Sequence, residues 1–224
     1  MRLINYLKSY SWKLLLRDEF EEEYFKDLEK KVTLEYKNNL IYPNKKYIFN
    51  AFNLCSFNNL KVVMLGLDPY SNKSANGLAF SSYDNTIIPN SLKNIFNELY
   101  SDLGINNNIS NLENWSKEGV LLLNNILTIG DNRSHKHNTW KLFTDRVIEI
   151  INDNKQNVVF LLLGKDTHVK ADLINKKNNL VIKLNHPSSN STTKIGNPLL
   201  GSKCFSKTNK YLDKHNIKKI NWKL

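Results

Sequence analysis

The chain has 224 residues, of which 41% are hydrophobic and 24% charged, a length and balance that provide for one substantial core and exclude general disorder. Its formal charge of +11, from 32 Lys and Arg against 21 Asp and Glu, favours a polyanionic partner. Abundant lysine and asparagine also fit a biased coding sequence, so charge alone leaves both explanations open.

Residues 1–40 read as helical, with Leu14, Leu15, Phe20, Tyr24, Leu28 and Val32 recurring near three- and four-residue intervals and Glu21 to Glu23 forming a solvated face. The start has no small-residue cleavage site, and no apolar run approaches the roughly 20 residues of a membrane span. A soluble intracellular protein is expected, cytoplasmic or associated with the nucleoid. Pro43 marks a turn into a short helix around Ile48, Phe49 and Phe52.

The apolar run Val62 to Leu65 predicts a buried strand. Gly66 and Pro69 end it and place Asp68 and Tyr70 in the following loop, where open parallel sheets bind ligands. After Pro89 a helical stripe of Leu92, Ile95, Phe96 and Leu99 begins, with Ser91 in an N-terminal capping position. A second strand, Val120 to Leu123, ends at Asn124 and Asn125 and leads into a loop with Arg133, His135, Lys136 and His137. A third, Val158 to Leu163, ends at Gly164 and Lys165, and a fourth, Leu180 to Leu184, ends at His186. Helical segments follow Trp140, Lys165 and Lys203. Strands alternating with helices predict a three-layer α/β/α sandwich around a central four-stranded parallel sheet, with residues 1–224 as one domain.

A parallel sheet brings Asp68, Tyr70, Asn124 and His186 to one rim. Carboxylate, amide and imidazole suit work on a neutral polar ligand. Each has a plain alternative: a turn residue for Asp68, a cap for Asn124, a bond to backbone for His186. His135 and His137 lie two apart with no matching acid in the sequence nearby, and no metal site is expected. No phosphate-cradling glycine motif follows a strand, so no nucleotide cofactor is expected. Cys55 and Cys204 are far apart, in no metal-binding spacing, and read as free packing residues.

Seven ordered segments resemble family 1 uracil-DNA glycosylases. They are GLDPYSNKSANGLAFS (66–81), IPNSLKNIFNEL (88–99), WSKEGVLLLNNILTI (115–129), SHKHNTWKLFTD (134–145), VVFLLLGKDTH (158–168), HPSS (186–189) and CFSKTNKYL (204–212). The resemblance implies hydrolysis of the bond between uracil and deoxyribose, without cofactor, by flipping the nucleotide into a fitted pocket. It implies that Asp68 orients the attacking water and stabilises charge on the sugar. Tyr70 blocks the thymine methyl, Phe80 stacks on the base, Asn124 reads its edge and His186 donates to O2. Leu67 and Asp68 contribute backbone amides. Ser91 and Ser188 match phosphate-clamping serines, and Ser191 aligns with another.

The chain departs from the family pattern in four places. Leu67 replaces glutamine, Ser71 replaces histidine, Ser189 replaces proline, and Asn190 stands where a leucine wedge fills the gap left by the flipped base. Ser71 keeps a shorter donor for a phosphate. Among these changes, Asn190 implies weaker action on duplex than on single-stranded DNA. They also leave open a binding protein without catalysis, and Leu67 leaves open an altered base preference. Uracil-containing single- or double-stranded DNA is the expected partner, a DNA-mimicking protein inhibitor is a further candidate, and a monomer is expected.

Overall fold

The computed structural model describes residues 2–188, 196 and 198–224. The helical N-terminal region is broken rather than continuous. A single 3₁₀ turn at Leu3–Tyr6 precedes α1 (Tyr10–Leu16), and a second at Glu19–Glu21 precedes α2 (Glu23–Asn38). Trp12 and Leu16 are the fully buried residues of α1, whereas Leu14 is exposed, contrary to the stripe read from the sequence. Trp12 donates its indole N–H to the Cys55 carbonyl at 2.8 Å, which fixes the face that α1 turns inward.

A two-residue strand β1 (Ile41–Tyr42) and α3 (Asn50–Leu54) lead into β2 (Val62–Gly66). Then come α4 (Asn90–Leu103), α5 (Glu113–Lys117), β3 (Val120–Asn124), the short β4 (Ile129–Gly130) and α6 (Trp140–Asn154). The chain ends with β5 (Val159–Leu163), α7 (Lys165–His168), β6 (Leu180–Leu184) and α8 (Cys204–Lys214). Strands β1 and β4 pair antiparallel, a small second sheet that the apolar pattern does not announce.

The main sheet has the order β3-β2-β5-β6 and is parallel throughout, as the sequence predicts. Every residue of β2, β3 and β5 is buried, so helices cover both sheet faces in an α/β/α layering. Edge strand β6 is half-buried and carries Lys183. From central β2 the chain crosses first to β3 on one side and later to β5 on the other. The loops leaving β2 and β5 therefore diverge, and such a switch point opens a crevice at the carboxyl ends of the strands.

Candidate active site

The crevice holds a cavity of about 270 Å³ whose walls include Leu67, Asp68, Tyr70, Phe80, Ser91 and His186. All six are expected from the sequence. Leu163, Gly164, Lys165, Asp166 and Arg133 complete much of the remaining wall. Ser91 is the second residue of α4, whose cap is Pro89; it makes no capping bond and faces the cavity instead.

Asn124 ends β3 directly opposite Gly66 in the register. A Cβ on Gly66 would lie 2.8 Å from Asn124 Oδ1 and 3.1 Å from Phe80 Cζ, so the amide and the ring close on this one glycine. Asn124 is only 4% exposed, yet among the described residues nothing hydrogen-bonds its side chain. A nearly buried amide normally has its partners. Asn124 itself is not among the residues that line the cavity, whereas Phe80, which closes on the same glycine, is.

Phe80 sits in the left-handed region with φ at 63°, a conformation that costs a bulky residue on the order of 1–3 kcal/mol. Tyr70 Oη donates to the Phe80 carbonyl at 3.0 Å, and Ala79 N–H donates to Leu122 of β3 at 2.9 Å. Those bonds fix the 79–80 backbone against the sheet. Burial raises the Tyr70 phenol above its usual range, so it stays protonated as a donor.

His186 follows β6. Gly164, at φ 103°, lets its ring approach to 3.3 Å of the position a Cβ would take. Ser188 N–H donates to His186 Nδ1 at 3.1 Å, which places the proton of the neutral ring on Nε2. Burial lowers the His186 pKa; the Asp68 and Asp166 carboxylates oppose this, and Arg133 reinforces it. The ring is thus a neutral Nε2–H donor at neutral pH.

Asp68 has a side chain 7% exposed, and its Oδ2 accepts from both Arg133 Nη2 and Lys136 Nζ at 2.7 Å. Both cations come from the loop after β4, where Asn132, Arg133 and His135 all have positive φ. Ser134 ties this loop to Asp131 and Gly130 through backbone bonds. His135 Nδ1 and His137 Nε2 meet the two oxygens of Glu35 at 3.0 and 2.8 Å. The acid absent from the sequence neighbourhood of these histidines is therefore supplied by α2. Among the described residues no group of three or more His, Cys, Asp or Glu side chains is arranged to hold a metal ion.

Ser71 is half-buried and lies outside the cavity wall, and Ser188 acts on His186 through its backbone. Ser189, Asn190 and Ser191 lie outside the described residues. Cys55 and Cys204 are free and buried, their thiols pushed up to about 12, which suits packing and not nucleophilic attack.

The family model of the Uracil DNA glycosylase superfamily matches residues 52–213. The chain belongs to the uracil-DNA glycosylase superfamily. Over 217 residues it is 46% identical to the uracil-DNA glycosylase of Amoebophilus asiaticus, covering 95% of this chain and 97% of that one. The uracil-DNA glycosylase of Borreliella burgdorferi is also 46% identical, over 95% of this chain and 96% of its own. Among solved structures, mimivirus uracil-DNA glycosylase superposes with a TM-score of 0.94 at 27% identity, covering 100% of this chain and 90% of that one. A mimivirus UNG variant in complex with UGI superposes at 0.93, also at 27% identity, covering 100% of this chain and 92% of that chain. In this uracil-DNA glycosylase superfamily member no helix among the described residues is long and apolar enough to cross a membrane.

Three features of the site go beyond what the sequence announces. The sequence marks Gly66 only as a strand breaker, although its missing side chain makes room for Asn124 and Phe80. Lys165 stands at a strand end with no local signal of a role, yet it lines the cavity. The pairing of Arg133 and Lys136 with Asp68 spans more than sixty residues, and no local signal in the sequence foretells it.

Proposed function

We propose that this protein excises uracil from DNA by hydrolysing the bond between uracil N1 and the deoxyribose C1′. The observation that carries this reading is the convergence of Asp68, Tyr70, Phe80 and His186 on one cavity, with the unpartnered Asn124 amide at Gly66 beneath it.

In this reading the flipped base stacks on Phe80. Asn124 Oδ1 accepts from uracil N3–H while its amino group donates to O4. Cytosine offers an acceptor at N3 and a donor at position 4, which opposes donor to donor and acceptor to acceptor. Tyr70 fills the space that the thymine methyl would need. Asp68 Oδ1, the oxygen not taken by Arg133 or Lys136, orients a water toward C1′, and the carboxylate stabilises the positive charge that develops on the sugar. The water oxygen joins C1′, its proton passes to Asp68, and the C1′–N1 electron pair leaves with uracil. His186 Nε2–H and the backbone amides of Leu67 and Asp68 hold the O2 that carries the anionic charge. Flipping costs a few kcal/mol, offset by phosphate contacts from Ser91, Ser71, the 188–191 segment and the cationic surface.

The four departures from the family pattern bear on degree rather than kind. Leu67 removes a polar side chain and keeps its amide, and Ser71 shortens a donor. Ser189 and Asn190 remove the proline and the apolar wedge that replaces stacking in duplex DNA. Single-stranded substrate is therefore favoured. A DNA-mimicking inhibitor protein would engage the same cationic face. One domain, 1–224, carries the whole site, and the protein acts as a monomer.

The deciding experiment measures uracil release from matched single-stranded and duplex oligonucleotides, with Asp68→Asn as control. Release by the wild type that is lost in the control is the expected result. A folded protein that binds both oligonucleotides and releases nothing would overturn the catalytic reading.

A further inference from the structure

Asp68 Oδ2 has two in-plane lone pairs, and both are occupied, one by Arg133 Nη2 and one by Lys136 Nζ, each at 2.7 Å. Two cations thus serve one carboxylate, and the group of three carries a net positive charge at the mouth of the cavity. The carboxylate is deeply placed, while the Arg133 side chain is 58% exposed and that of Lys136 30%. Both cations can therefore reach a backbone outside the cavity without moving Asp68. Arg133 lines the cavity together with Ser91 and Lys165, on the rim that a flipped nucleotide must cross.

The loop that carries the two cations is anchored independently of them. His135 and His137 grip Glu35 of α2, and Ser134 bonds back to Asp131 and Gly130. Arg133 and Lys136 can leave Asp68 while the backbone under them stays in place.

We propose that Arg133 and Lys136 form a binding site for a DNA backbone phosphate beside the flipped nucleotide. Asp68 occupies that anion site only in the DNA-free protein. Two donors converging on one oxygen suit a phosphate oxygen, and a backbone phosphodiester presents two non-bridging oxygens to a cationic rim. When DNA enters, the cations transfer from the carboxylate to the phosphate. Asp68 then faces the sugar without two positive charges bound to it, which is the state that best stabilises a developing cation. Arrival of the substrate backbone thereby switches on the carboxylate. The second half of this inference rests on the role given to Asp68 above; the phosphate site stands on the cations alone.

The test compares wild type with the Arg133→Gln/Lys136→Gln double variant on two measurements. The first is the salt dependence of binding to a single-stranded oligonucleotide carrying 2′-fluoro-2′-deoxyuridine, which resists cleavage. Loss of this one phosphate contact lowers the slope of log Kd against log salt by about 0.7. The second is single-turnover release from the cleavable oligonucleotide, where the loss falls on the half-saturating DNA concentration, raised roughly tenfold at low salt, and not on the rate at saturation. An unchanged slope would overturn the phosphate site. A rate at saturation that falls tenfold or more with an unchanged slope would show that the cations only orient Asp68. Arg133 is exposed, and Arg133→Gln alone, which leaves Lys136 on the phosphate, repeats the test with a smaller fall in slope. If wild type releases no uracil, the excision reading fails while the slope still decides the phosphate site.

Discussion

The backbone N–H of Ser188 donates to Nδ1 of His186 across 3.1 Å, so the imidazole can present only one tautomer to the cavity while it is neutral. Protonating Nδ1 would set donor against donor. Burial already lowers the His186 pKa from 6.5. Activity that depends on the neutral ring therefore persists as pH falls to 6.5 and declines only below it. The kcat/KM profile for uracil release checks this, and a decline centred above 6.5 would contradict it. Stability carries the same sign. Between the lowered folded value and 6.5 the unfolded chain binds more protons, so stability falls as pH drops through that window. His186→Asn should flatten the fall in Tm over it.

Asp68→Asn should reduce single-turnover uracil release by about 10²–10⁴-fold, since the amide neither accepts the water proton nor balances charge on the sugar. DNA binding should not weaken, because one negative charge leaves a cationic rim and Arg133 and Lys136 lose their intramolecular partner. Weaker binding together with slower release would point to collapse of the loop that carries the cations.

Gly66→Ala tests the pocket floor. The added methyl would meet Asn124 Oδ1 at 2.8 Å, closer than a Cβ tolerates, and Phe80 Cζ at 3.1 Å, a tight contact. Overpacking of this kind costs about 1–3 kcal/mol. The amide must turn away from the base edge, so inhibition by free uracil should weaken roughly tenfold or more. Unchanged inhibition by uracil would separate Asn124 from base reading.

The strands were legible because parallel strands covered on both faces must be apolar at every position, and such runs end sharply at Gly66, Asn124 and Gly164. That legibility extended to the site, since Asp68 and Asn124 are the polar residues at two of those ends, while His186 follows the half-buried edge strand β6. The N-terminal helices were misjudged because apolar spacing continues through the turns at Leu3–Tyr6 and Glu19–Glu21, and neither Gly nor Pro marks the breaks. The Glu35 clamp on His135 and His137 joins residues about a hundred positions apart, and Arg133 reaches Asp68 from a loop of positive-φ residues with no glycine to announce it. Long-range polar pairs leave no period in a sequence.

Asn190→Leu tests the missing wedge. If an apolar side chain there replaces lost stacking, the ratio of duplex to single-strand kcat/KM should rise several-fold in the variant. A ratio unchanged within error would remove the explanation for a single-strand preference and return the burden to Ser71 and Leu67.

Helix α4 holds the chain on both sides of the segment that contains Asn190. Asn94, Glu98 and Asp102 recur at four-residue intervals on one face. Asn94 Nδ2 donates to the Pro187 carbonyl at 2.9 Å, and Asp102 accepts from Ser206 N–H at 2.8 Å in the first turn of α8. Between them the Glu98 carboxylate, 1% exposed, accepts from the N–H groups of Gly201 and Lys203 at 2.6 Å and from Ser202 Oγ at 3.1 Å. It holds Lys203 at φ 55° where α8 begins. Glu98→Ala leaves those buried donors unmet, a loss of about 2–4 kcal/mol. In a chain of this length that lowers Tm by roughly 5–15 °C, measurable by calorimetry. Asn94→Ala, which frees only Pro187 beside His186, should spare most of the stability and lower the rate of uracil release several-fold. If Asn94→Ala instead costs as much stability as Glu98→Ala with no change in rate, α4 supports the core alone and does not position His186.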